Sequence, residues 1–207
     1  MANIKSRRDE NAEATRAALI QKAGLLFAKN GFSNTSLGKI AEHARVTKGA
    51  IYHHFDSKDD IFAACYSRQA SEVAKVVKKV TLTDDPWVDA INQSKAYLDI
   101  SMKSVGIGVS IQEAITVLGW LRWRKLDEEH TMGLLTQTIA RLQNAKLLKP
   151  YTSTLLADAL YGILIHAMMS LVGVEDKKTK RDELMLLVQD FIFGIMTESA
   201  KEKLEKY

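Results

Sequence analysis

Between Thr35 and Lys58 the chain reads TSLGKIAEHARVTKGAIYHHFDSK, and hydrogen-bond donors crowd this stretch. Ser36 and Thr47 fall where two short helices would begin. A hydroxyl beside the free backbone N–H groups of a helix start favours an anion. Lys39, Lys48, Tyr52, His54 and Lys58 place further donors around them. At about 100° per residue, Ile51 and Phe55 share one side of the second helix, and His53 points almost the other way with Gly49 and Ala50 beside it. A face that small and polar can come close to a base edge in a major groove, while the surrounding donors hold phosphates. The chemistry offered is recognition of a polyanion, with no bond made or broken.

Such a surface needs a scaffold. Two short helices joined at Arg45-Val46 form a helix-turn-helix. Ile40 and Ala41 face inward from the first, which Thr35 or Ser36 caps and which reaches Ala44. Val46 fills the corner, and the second helix, capped by Thr47, ends near Phe55. Upstream, Leu19, Ala23, Leu26 and Phe27 make one apolar stripe of a helix over 11–29. Asn30-Gly31 stops that helix, and residues 1–10 are polar and frayed. Downstream, Ser57 and Asp60 resemble a capping box opening a long helix over 58–80. Asp84-Asp85-Pro86 is the clearest break, with proline in the first turn of a helix over 86–103. Gly106-Ile107-Gly108 interrupts the pattern. Helices follow at 109–117 and 119–146, the latter closed by Pro150. Thr152 or Ser153 then caps a very apolar helix to Val172, 173–180 is a charged loop, and the last helix spans 181–205. No stretch alternates like a strand. The fold class is all-α: a three-helix head over 1–58 and a larger helical body over 59–207 for ligand binding and dimerisation.

Composition narrows the function. The 207 residues are 46% hydrophobic and 26% charged, which excludes a disordered chain. Two prolines and eleven glycines disfavour a many-stranded β fold. One cysteine, Cys65, excludes an intrachain disulfide framework and a cysteine-based zinc cage. Residues 1–58 hold ten Lys/Arg against five Asp/Glu, net +5, whereas the whole chain is only +4. The basic excess therefore sits in the head, as a nucleic-acid-binding end would have it. No apolar run follows the basic start, so no signal peptide is expected. The run from Leu155 to Val172 contains Asp158 and His166 and is short for a bilayer. It reads as a buried helix of a cytoplasmic protein with no membrane partner.

These residues resemble the TetR (tetracycline-repressor-like) family of transcriptional regulators over about Thr15 to Phe62. The resemblance is carried by Leu26-Phe27-Ala28-Lys29-Asn30-Gly31-Phe32, by Ser36 with Ile40-Ala41, by Val46 through Phe55, and by Ser57-Lys58. It implies a homodimer of all-helical subunits, with a DNA-binding head and a body that takes a small effector. Carried over, Ser36, Thr47, Tyr52, His54 and Lys58 would contact phosphates. Lys48, Gly49, Ala50 and His53 would approach bases, and Lys39 completes the candidate DNA-binding set. The family usually has glycine where this chain has Arg45, which must then adopt the left-handed region at about 1–2 kcal/mol or alter the turn.

In the body, Trp120 and Trp123 with Arg124 fit either core packing or an aromatic wall around an effector. Tyr97, Met102, Tyr161, His166 and Met169 complete the candidate pocket, with His166 expected amid apolar neighbours and in need of a partner. Candidate dimer residues are Leu156, Leu160, Ile163 and Ala167 on one helix and Leu184, Val188, Phe191 and Ile195 on the next. Four helices from two subunits would then form the interface. No cofactor or metal is expected. His53 and His54 are adjacent on a helix and do not face one ion. Asp127-Glu128-Glu129-His130 reads as a solvated face, Gly106-x-Gly108 is too short for a dinucleotide fingerprint, and Cys65 is a small buried hydrophobe. The expected function is a DNA-binding transcriptional regulator, a repressor released from a palindromic operator by a small molecule. The alternative is a ligand sensor of the same fold with weakened DNA reading, motivated by Arg45 alone. With no nucleophile–base pair and no phosphate loop, an enzyme is not expected.

Overall fold

The computed structural model describes residues 6–104 and 108–204, and their elements are helical. In chain order these are α1 (Arg7–Asn30), α2 (Leu37–Ala44), α3 (Lys48–Tyr52), α4 (Lys58–Lys78), α5 (Pro86–Ser104), α6 (Ile111–Leu118) and α7 (Trp120–Asp127). A π-helical turn, Glu128–Met132, joins α7 to α8 (Gly133–Asn144) without a break. Then come α9 (Ser153–Ser170), α10 (Lys177–Gly194) and α11 (Glu198–Leu204). The only β pairing among the described residues is an isolated antiparallel bridge between Leu148 and Met196.

The chain divides into two compact units, one of Met1–Gln69 with Gly106–Arg124 and one of Ala70–Val105 with Lys125–Tyr207. The first unit buries Leu19, Ile20, Ala23 and Phe27 of α1, Ile40 and Ala41 of α2, Ile51 of α3, Phe55, and Ile61 and Phe62 of α4. Phe27, Phe32 and Phe62 form an aromatic knot with ring centroids 5.0–5.8 Å apart. Cys65 is buried, and its thiol donates to the Ile20 carbonyl at 3.3 Å. Burial pushes this thiol up to about 12.

In the second unit α8 packs on α9, and α5 meets α8, α9 and α10. Buried Asp89 ties the start of α5 to its neighbours: it accepts from Thr83 N and Oγ1 at 2.8 and 2.9 Å and pairs with Arg141 at 2.7 Å. Burial alone would raise the Asp89 carboxyl, but the Thr83 donors and Arg141 outweigh it and hold it below the usual carboxylate range. Arg181 joins α10 to Asp99 of α5 at 2.7 Å. α9 is long and apolar enough to cross a membrane by composition, yet Leu156, Leu160, Leu164 and Met168 are buried within its own unit.

Several helix ends differ from the sequence reading. α1 begins at Arg7, not near Asn11, because Ser6 and Asp9 close a capping box. α2 is capped by Ser36, whose Oγ accepts from Lys39 N at 3.2 Å. Thr35 is buried instead, donating to the Gly31 carbonyl at 2.8 Å. α3 stops at Tyr52, three residues early, where His54 N turns back to the Ile51 carbonyl at 2.9 Å. α8 ends at Asn144, two residues before the expected 146, because Lys146 enters the left-handed region and Leu147 N bonds the Leu142 carbonyl. The last helix starts at Lys177, since Asp176 caps it through Thr179 N, so residues 177–180 are not loop. It breaks after Gly194, where Lys149 N takes the Ile195 carbonyl and Thr197 N takes that of Leu147. Of the expected Gly106-Ile107-Gly108 interruption, Gly106 and Ile107 lie outside the described residues. At Gly108 a Cβ would come within 2.0 Å of the Gln69 amide oxygen, so a larger residue there would displace the end of the Gln69 side chain.

Arg45 adopts φ 56° and ψ 42°, the left-handed conformation. Its N–H bonds the Glu42 carbonyl, and Val46 N bonds that of Ala41, the double closure that ends many helices. The turn keeps its form, and the side chain carries the cost. Arg45→Gly will therefore raise unfolding free energy by about 1 kcal/mol, the relief of that conformation less glycine's extra unfolded-state entropy, as read from urea denaturation. Cys65 will resist a thiol-disulfide reagent at about pH 8 in the folded protein, being held as the neutral thiol, and react within the mixing time once urea exposes it.

Candidate nucleic-acid interface

Each half of the helix-turn-helix starts at a hydroxyl. Ser36 Oγ accepts from Lys39 N and Thr47 Oγ1 accepts from Ala50 N, both at 3.2 Å. Each oxygen is thus fixed at a helix start while its hydroxyl hydrogen stays free to donate to a phosphate. Ser36, Lys39, Thr47, Lys48, Gly49, Tyr52 and His53 are exposed, whereas Ala50, His54 and Lys58 are half-buried. On the opposite side of the same short segment, Ile51 is fully buried and Phe55 nearly so, with the Arg16 guanidinium 4.9 Å from the Phe55 ring centroid. The apolar side anchors and the polar side is presented.

Lys58 does more than the sequence reading asked of it. Its Nζ donates to the Phe32 carbonyl at 2.9 Å and lies 3.9 Å from the Phe32 ring centroid. The N–H of the same residue donates to Glu113 Oε1 at 2.7 Å, and Glu113 belongs to α6. The connection between α1 and α2 is therefore held at Phe32 from both sides of one residue. Glu113 stands three residues after Ser110, which caps α6 through Glu113 N, so the carboxylate serves the head rather than its own helix. Close by in the chain, Arg122 of α7 pairs with Asp60 at 2.6 Å. Hydrogen bonding from Arg122, then from Ser57, holds the Asp60 carboxyl below its usual range. At the entry to α6, Gln69 Nε2 donates to the Val109 carbonyl at 3.0 Å. Sequence reasoning missed Glu113, Arg122 and Gln69, because their partners lie 81, 62 and 40 residues away and leave no local pattern.

The candidate effector residues divide between the units. Trp120, Trp123 and Arg124 belong to the first; Tyr97, Met102, Tyr161, His166 and Met169 belong to the second. Trp123 is fully buried, and exposed Trp120 lies 5.1 Å from it, ring to ring, with the Arg124 guanidinium 6.0 Å from the Trp120 centroid. In the second unit Tyr97 and Tyr161 are brought together at buried Asp127, a residue the sequence reading placed on a solvated face. Tyr161 donates to Asp127 Oδ2, and burial, then the Asp127 charge, raises the Tyr97 phenol. His166 is not amid apolar neighbours: it is exposed, because α9 turns Leu155, Ala159, Gly162 and His166 outward as one stripe. Of the candidate dimer residues, Leu156, Leu160, Ala167, Leu184 and Val188 are buried within the subunit, and Ile163, Phe191 and Ile195 are half-buried. The outward faces of the same two helices expose Leu155 at 56%, Leu186 at 61% and Leu187 at 53%.

Comparison with known proteins agrees with this arrangement along the chain. Residues 19–65 match the family described as bacterial regulatory proteins, tetR family, and residues 87–195 match the tetracyclin repressor-like C-terminal domain. The transposon Tn10 TetC protein of Escherichia coli is 28% identical over 192 residues, covering 92% of this chain and 97% of that protein. The HTH-type transcriptional regulator AcrR of Shigella flexneri is 40% identical over 67 residues, 32% of this chain and 31% of its own. The crystal structure of RolR in complex with its ligand resorcinol shares the fold with a TM-score of 0.70 at 20% identity, over 94% of this chain and 95% of that one.

Glu113→Ala removes a charged acceptor from the partly buried Phe32 N–H and will cost about 2 kcal/mol of stability. Glu113→Gln keeps a carbonyl oxygen there and will recover about half, as measured by thermal unfolding of the three proteins side by side.

Proposed function

This chain belongs to the tetR family of bacterial regulatory proteins and is a DNA-binding transcriptional regulator, and we propose that it is a cytoplasmic, dimeric repressor whose hold on a palindromic operator is released by a small molecule. The observation that carries the reading is the two-sidedness of α3 and the turn after it: Ile51 and Phe55 are buried while Lys48, Gly49, Tyr52 and His53 face out. Lys48, Gly49, Ala50 and His53 approach base edges. Ser36, Lys39, Thr47, Tyr52, His54 and Lys58 hold the backbone on either side. With residues 1–58 as the reading head and 59–207 as the body, two heads in one dimer engage major-groove sites about 34–36 Å apart or a multiple of that spacing. Two copies meet through the outward stripe of Leu155, Ala159, Gly162 and His166 with Leu186 and Leu187, where the two helices leave large apolar side chains in solvent. The half-buried Ile163, Phe191 and Ile195 flank it.

The effector engages Tyr97, Met102, Tyr161 and Met169 of the second unit, with Asp127 as the buried acceptor among them. Release needs a preference of about 5.5 kcal/mol for the non-binding state if a hundredfold bias is to be reversed. Glu113 and Arg122 are placed to deliver it, since any displacement of α6 or α7 pulls on Phe32 and Asp60. The rival reading, a sensor that no longer reads DNA, drew its motive from Arg45, and Arg45 keeps the helix-turn-helix turn closed. A catalytic role has no support in the family, whose members are regulators.

Selection of bound sequences from a random duplex pool will return a two-fold symmetric site. His53→Ala will weaken binding to that site about 5- to 100-fold and relax preference at one position per half-site, with melting temperature unchanged. Recovery of no preferred sequence by the unaltered protein would sink the reading.

A further inference from the structure

We propose that Arg45, the left-handed residue at the helix-turn-helix turn, is itself a DNA-backbone contact that adds one cation–phosphate pair per head; this assignment rests on the DNA-binding reading above. Its conformation at φ 56° is one that glycine takes freely and an L residue takes at a cost. Arg45 is exposed, and its guanidinium makes no ion pair or hydrogen bond with any described residue. Glu42 stands three residues earlier, exposed on α2, so an acidic neighbour is at hand and is not engaged.

The position within the motif supplies the direction. Arg45 precedes Thr47, the cap of α3, by two residues and Lys48, its first residue, by three. The bonds from Arg45 N to the Glu42 carbonyl and from Val46 N to the Ala41 carbonyl fix the backbone here. Val46 is half-buried in the corner while its neighbour Arg45 stays in solvent. In a docked helix-turn-helix the second helix enters the groove by its N-terminal residues and the first crosses the backbone. The turn between them therefore lies at the groove's edge, where phosphates are. A guanidinium binds a phosphate with two parallel N–H donors, a geometry that lysine reproduces only as a point charge.

The test uses the full-length protein and a fluorescein-labelled duplex of about 30 base pairs of random sequence, long enough for both heads. Binding is followed by anisotropy between about 50 and 200 mM KCl for wild type, Arg45→Gly and Arg45→Lys. Each lost phosphate contact removes about 0.9 from the salt slope, so Arg45→Gly will lower the dimer's slope by about 2, and wild type's advantage over it will shrink about tenfold across that range. Arg45→Lys will keep most of the slope. Because Arg45→Gly relieves the backbone, its melting temperature will be equal or higher, so a weaker hold on DNA cannot come from a damaged fold. A steep wild-type curve with an unaltered slope in Arg45→Gly overturns this proposal alone. A wild-type curve that does not respond to salt overturns the DNA-binding reading with it.

Discussion

A helix of five residues cannot hold its own shape in water, because nucleating a helical turn costs more than so few hydrogen bonds return. α3 exists because Ile51 and Phe55 are taken into the core of the first unit, on which its placement depends. Burying each such side chain is worth about 1.5–3 kcal/mol, more than any surface hydrogen bond in the segment can supply. That burial also decides which side remains. With one side committed inward, Lys48, Gly49, Tyr52 and His53 have nowhere to face but solvent, and their smallness and polarity become a surface that a duplex can approach. Anchoring on one side of this short helix leaves the polar side exposed.

The ends of the helices do the rest of the positioning. Ser36 and Thr47 cap α2 and α3 with oxygens that accept from backbone N–H groups and leave their own hydrogens to donate. One oxygen thus fixes a helix start while its hydrogen remains on the outward side. The turn between the two caps closes through Arg45 in a conformation glycine would take more cheaply. Lys58 bonds the Phe32 carbonyl and covers its ring, so a side chain that counts as a surface cation in the sequence is also a brace of the head.

The composition of the first unit bears on regulation. Residues 108–124 join the unit that carries the helix-turn-helix, and Glu113 and Arg122 tie them to Phe32 and Asp60. Charged contacts of this kind are directional and short-ranged, so a small displacement of α6 or α7 either drags its partner or breaks the contact. In the second unit, Asp127 gathers two tyrosine side chains in a buried setting. A buried carboxylate is tolerated only with donors around it, and Tyr161 supplies one.

The sequence by itself determined the all-helical class, the helix-turn-helix head with Thr47 as the cap of α3, and which residues of the Lys48–Phe55 segment face inward; it left the cap of α2 open between Thr35 and Ser36 and the state of Arg45 open between a left-handed residue and an altered turn. These follow from spacing within a few residues, where helical period and capping chemistry act directly. It misplaced the start of α1, the end of α3 and the span of α10, because the Ser6–Asp9 box, the turn of His54 N onto the Ile51 carbonyl and the Asp176 cap compete locally with the apolar pattern at those ends. Only the tertiary structure decided that Glu113 serves the α1–α2 connection, that Asp127 is buried, that His166 faces solvent, and that Leu156 and Val188 are core while Leu155 and Leu187 are surface. On α9, apolar nearly all round, the pattern cannot say which stripe meets its own subunit. That choice depends on where α8 and α10 lie, a property of contacts between residues far apart in the chain.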